Sequence, residues 1–175
     1  MMYNCCANPI ERNLSMSYYH LPRRLAPRLY KYLTLEHFRV SACADGARTI
    51  LSFTYPSPDK SQEIRYRLHV YKNSCVITAY LPQRILHHQA EATAYTNRFN
   101  MKLLNCHFVL DPGTGRVWYI SRIACGKAPM HIGLIDGSIY QPARLFSQLI
   151  PGLNDIIHGA GKTDCFHQSC GREVF

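Results

Sequence analysis

The chain has 175 residues, 47% hydrophobic and 18% charged, and its 20 basic and 11 acidic side chains leave a formal net charge of +9. That length carries one domain with a sizeable core, and the composition excludes disordered and low-complexity chains. No apolar run is long enough to cross a bilayer, and the opening MMYNCCANPIERNLSM is polar and broken by Pro9, which is not the pattern of a secretory signal.

In chain order, residues 1–22 show no periodicity and are expected to be a flexible N-terminal segment, with Met16 a candidate natural start. Leu25, Leu29 and Leu33 recur at helical spacing and predict a first helix over Arg23–Glu36, with Pro27 tolerable in its first turn. Strand signals follow at Phe38–Cys43 and Thr49–Tyr55, joined across Ala44-Asp45-Gly46. After the loop PSPDKSQ, Ile64–Tyr71 alternates, with Tyr66, Leu68 and Val70 on one face and Arg65, Arg67 and His69 on the other. Lys72-Asn73-Ser74 turns the chain into Cys75–Leu81, so the region reads as an antiparallel meander with one solvated face.

Pro82 ends that strand and leads to a second helix over about Gln83–Leu103, opened by His87-His88 and carrying Ala92, Tyr95 and Phe99 on one side. Next comes a hairpin. Phe108, Val109 and Leu110 precede the turn Asp111-Pro112-Gly113-Thr114-Gly115, and Val117, Trp118, Tyr119 and Ile120 follow it. A Gly126–Gly137 loop leads to a third helix whose stripe is Ile139, Ala143, Phe146, Ile150, Leu153 and Ile157. Pro151-Gly152 is expected to kink or interrupt that helix. Residues 159–175 read as a flexible C-terminal tail, which leaves residues 23–158 as the single domain.

The hairpin carries a family resemblance. Asn97-x-x-Asn100 closes the second helix; a strand then ends in Leu110-Asp111, Gly113 to Gly115 make the turn, and Val117–Ile120 is aromatic. Late in the chain, Leu149-Ile150-Pro151-Gly152 precedes Ile156-Ile157. With the order of elements, these features resemble the YbjN family, bacterial proteins regarded as regulators of sensory transduction, which share the type III secretion chaperone-like fold. The resemblance implies an α+β domain with an antiparallel sheet of about five strands and helices packed on it, in the order α-βββ-α-ββ-α. It also implies a homodimer, no catalytic site, and a chaperone-like or regulatory role. Secretion chaperones of this fold are commonly acidic, and the basic charge here points to the YbjN-like branch.

Chemistry-bearing patterns are weak. Gly159-Ala160-Gly161-Lys162-Thr163 ends like a phosphate-binding loop, but Ile156 stands where the motif needs Gly, and the run follows a helix where the motif should follow a strand. His158, Cys165, His167 and Cys170 offer zinc-type ligands at a spacing that fits no standard finger, and Cys5-Cys6 is a poor pair for one metal. No metal and no cofactor are expected. Eight Cys and nine His give many nucleophile–base combinations and no marked one, and the acids fall mostly in turns, at Asp45, Asp59, Asp111 and Asp136. Asn97 and Asn100 read as caps bonded to local backbone.

The basic strand face is the better lead. A basic surplus favours nucleic acid, anionic membrane or acidic protein partners, although its densest stretch, Arg23–Lys31, is no polybasic tail. Arg65, Arg67, His69 and Tyr71 could contact phosphates and stack a base, against the plainer reading of an ordinary solvated strand face. The expectation is a non-enzymatic, cytoplasmic module for a protein client or regulatory partner, with nucleic-acid binding as the alternative and no membrane partner. The thiols are expected to stay free. Dimer contacts are expected from among Tyr30, Tyr32, Phe53, Tyr55, Trp118 and Tyr119.

Overall fold

Period-two burial, clearest at residues 63–70, organises the molecule around one antiparallel sheet. The computed structural model describes residues 24–57, 60, 62–124 and 131–158. The expectations for the N-terminal segment, for Cys5-Cys6, for the Gly159–Thr163 run and for Cys165, His167 and Cys170 lie outside those residues. In chain order the elements are α1 (Leu25–Leu35), β1 (Ser41–Asp45), β2 (Arg48–Pro56), β3 (Glu63–Val70), β4 (Ser74–Tyr80), α2 (Gln89–Asn100), β5 (Cys106–Asp111), β6 (Arg116–Ala124) and α3 (Ile132–Ile157). The class is α+β, as expected. The sheet has six strands in the order β1-β2-β3-β4-β6-β5, every neighbouring pair antiparallel. Four strands precede α2, matching the four strand segments read from the sequence and one more than the order implied by the resemblance; the chain reverses at Gly46 (φ +57°) between β1 and β2, at the expected Ala44-Asp45-Gly46 turn.

Alternation assigns the two faces. Leu51 and Phe53 of β2, Ile64, Tyr66, Leu68 and Val70 of β3, and Cys75, Ile77 and Ala79 of β4 are buried. Phe108 and Leu110 of β5, with Val117 and Tyr119 of β6, complete that side. They form one cluster with Leu25, Leu29 and Leu33 of α1 and with Ile135, Ile139, Phe146 and Leu149 of α3. At about 1.5–3 kcal/mol for each large side chain enclosed, this covered face dominates the stability. The expected burial of Tyr66, Leu68 and Val70, and the expected register of β3, are therefore observed. Phe108 sits at the centre of this core, within 5.7 Å, ring centre to ring centre, of Phe99, Tyr119 and Phe146.

The ends of two helices differ from expectation. α2 starts at Gln89 and not near Gln83, because Ile85 is buried and its N–H donates to Gly115 O at 2.6 Å. His88 then adopts a left-handed conformation (φ 56°) immediately before the helix. α3 starts at Ile132, inside the expected loop, since Ile135 adds a buried turn to the stripe and the His131 ring Nδ1 accepts from Gly133 N at 3.2 Å. Asp136 is consequently helical and accepts a hydrogen bond from the Tyr32 hydroxyl, tying α1 to α3. Pro151-Gly152 does not interrupt α3. Pro151 lies on the exposed side, and Gly152 packs closely on Tyr95 of α2, whose ring end would have to move aside for a Cβ, 2.2 Å from its hydroxyl. Among the described residues, no helix is long and apolar enough to cross a membrane.

Candidate interaction face

All three helices lie over the same side of the sheet, so the opposite side is uncovered by them. The registers place its residues in cross-strand rows. One row runs Thr54, Arg65, Tyr80, Trp118, Val109, and the next runs Ser52, Arg67, Thr78, Ile120, His107. A third holds Cys43, Ile50, His69, Val76 and Arg122. Four sequence-predicted residues, Arg65, Arg67, His69 and Trp118, thus share one face. Tyr71 follows β3 directly and is 37% exposed. Its hydroxyl accepts a weak 3.5 Å bond from Arg48 Nη1.

The charges are unequally engaged. Arg48 is held by Asp45 Oδ2, with contacts of 2.5 and 2.8 Å. Arg65, Arg67 and Arg122 are exposed and bond to no carboxylate. His69 is half-buried, and its Nδ1 has no hydrogen-bond partner. Burial, followed by the neighbouring Arg48 and Arg67 charges, holds its pKa below the ordinary histidine value, while Asp45 opposes them. It is therefore neutral at pH 7 and a poor anion anchor, which separates it from the two arginines beside it.

An aromatic centre lies toward the β5 edge. The Tyr80 and Trp118 ring centres are 4.4 Å apart, and the Arg116 guanidinium carbon lies 5.2 Å from the centre of the Tyr80 ring. Tyr80 is buried by these neighbours, Trp118 is half-exposed and Val109 is 41% exposed. Sequence reasoning missed Arg116, Tyr80, Ile120 and Arg122. Their signal was present, because Arg116, Trp118, Ile120 and Arg122 alternate along β6 as the cations do along β3.

Other expectations are revised here. Tyr32, Phe53 and Tyr119 are buried within the chain and cannot face a partner, whereas Tyr30 is exposed and Tyr55 and Trp118 are half-exposed. Asn100 is not a local cap. Its Nδ2 donates to Phe108 O and its Oδ1 accepts from Phe108 N, both at 2.8 Å, so it seals the free edge of β5; Asn97 is simply exposed. No three His, Cys, Asp or Glu residues are grouped to hold a metal among the described residues, and Cys43 and Cys106 are free thiols.

No family model and no curated protein matches the chain. Among solved structures, it is similar to the crystal structure of YbjN, "a putative transcription regulator from E. coli". The TM-score is 0.57 at 12% sequence identity, covering 79% of this chain and 96% of that one. At this identity the likeness establishes the fold, and the family resemblance holds at that level.

Proposed function

We propose that this chain is a non-enzymatic binding module that takes a protein partner of acidic character on the uncovered face of its sheet. The observation that carries the reading is the set Arg65, Arg67 and Arg122, three exposed cations without carboxylate partners, beside the half-exposed Trp118 and the exposed Val109. Unpaired cations favour an acidic partner, and an apolar centre with a charged surround is how protein interfaces divide their labour. The likeness in fold to a protein described as a transcription regulator supports a regulatory role. The reading puts the module in the cytoplasm, where its thiols stay reduced.

Trp118 is the only tryptophan, so its fluorescence reports on this face directly. A peptide of alternating Glu and Leu is expected to change that emission saturably, and Arg65→Glu with Arg67→Glu is expected to abolish the change. An emission unaffected by the peptide at low salt would overturn the reading. A second reading, single-stranded nucleic acid, is favoured by the exposed Tyr71 in contact with Arg48 and weakened by the neutral His69. Oligo-dT binding with a steep salt dependence, in place of peptide binding, would select it.

A further inference from the structure

The two edges of the sheet are finished differently. The outer backbone of β5 is occupied by the Asn100 amide, and α2 packs along that strand. All five residues of β1 are exposed, and β2 is the only described element that bonds to it. Natural sheets blunt a free edge with Lys, Pro or a bulge. β1 reads Ser-Ala-Cys-Ala-Asp and has none of these. Its small side chains let another strand approach closely.

We propose that β1 pairs antiparallel with β1 of a second copy of this chain, about a two-fold axis at Ala42, to give one continuous sheet across both chains. The choice of a second copy rests on charge complementarity. Arg39 lies three residues before Ala42 and Asp45 three after. An antiparallel two-fold at Ala42 sets Ser41 across from Cys43 and, with the ladder continued two residues before the start of β1, sets Arg39 of each chain across from Asp45 of the other. Arg39 is exposed and bonds to no carboxylate, and Asp45 keeps its Oδ1 oxygen free of the Arg48 contact. An even sum of paired residue numbers keeps the open faces on one side, so the arginine-bearing surface continues from one chain into the next. Backbone hydrogen bonds hold this dimer, in place of the aromatic contacts expected from composition.

Light scattering after size exclusion, on the full chain in reductant and across the micromolar range, tests this. The wild-type chain is expected to pass from monomer to dimer with rising concentration. Ala42→Lys, which puts like charges across the axis, is expected to remain monomeric with an unchanged circular dichroism spectrum. Arg39→Asp is expected to weaken the dimer roughly tenfold, and Arg39→Asp with Asp45→Arg to restore it. A chain that stays monomeric, a dimer that survives Ala42→Lys, or a charge exchange that gives no recovery each overturns the proposal.

Discussion

On β3, adjacent residues live in opposite surroundings. Leu68 is completely enclosed between the sheet and the helices, whereas Arg67 projects from the uncovered side and is exposed. The same division runs through β6, where Tyr119 is enclosed and Trp118 is half-exposed. One side of each strand is therefore committed to stability, and the other is free to carry recognition. Paired substitutions on one strand separate these roles more cleanly than substitutions on different elements. Leu68→Ala is expected to cost about 3 kcal/mol in chemical denaturation, while Arg67→Ala stays within about 0.5 kcal/mol. Comparable losses at both positions would break the comparison, since they would mean that the uncovered face is packed after all.

Some costs belong to neither face, and they mark where the backbone itself is constrained. Gly115 combines φ +67° with a close approach, for a Cβ there would lie 2.6 Å from Ile85 O. The turn is further set by Asp111, whose carboxylate accepts from Gly113 N at 3.0 Å and from the Thr114 hydroxyl at 2.6 Å. Gly115→Ala is expected to lose about 2 kcal/mol or more, because strain and clash coincide. A loss below about 1 kcal/mol, the ordinary cost of a positive φ alone, would show that the segment bearing Ile85 yields.

Asn100→Ala removes both bonds to Phe108 and leaves the β5 edge open. A loss of about 1–2 kcal/mol is expected in denaturation, with faster hydrogen exchange at the Phe108 amide. Asn100→Asp retains the acceptor for Phe108 N and loses the donor to Phe108 O, so its amide protection should fall between the two. Exchange unchanged in the alanine variant would mean that the edge is sealed by α2 packing and not by the amide.

Much of this was legible in the sequence wherever one physical signal acted alone. The alternation of β3 set its register and faces, and the Asp-Pro-Gly-Thr-Gly turn set the hairpin. Errors arose where a local signal competed with a distant contact. His87-His88 and Gln83 carry helix-compatible residues, yet the buried Ile85 and its bond to Gly115 hold that segment out of the helix. Gly133 and Gly137 read as loop residues, yet burial of Ile135 and Ile139 draws them into α3. Asn100 has the composition of a cap, and its actual partner is eight residues away across a strand edge. The candidate face was found on β3 and only half found on β6, because the pairing of β6 with β4 skips a helix and a strand and leaves no local mark.

The smallest expected effect lies on the uncovered face itself, at His69. Its pKa is lowered chiefly by burial, then by Arg48 from β2 and Arg67 from its own strand, with Asp45 of β1 pulling the other way. Ile50 and Val76 flank it in the sheet and carry no charge. An unfolded histidine titrates near about 6.5. Between that value and the lower folded one, the unfolded chain binds more protons, so stability falls as pH falls through this window. Above it the contribution is fully present, and below the folded pKa the loss stops growing. His69→Asn is expected to flatten that slope without altering stability at neutral pH, as read by denaturation at stepped pH. The ring can also be followed directly by its NMR titration. An acidic partner seated beside Arg67 would add negative potential and raise the His69 pKa, while occupation of the covered side would leave it unchanged. A titration midpoint at or above the unfolded value in the free protein would mean that the ring is solvated. The uncovered face would then lack the local crowding that distinguishes this histidine from its neighbouring arginines.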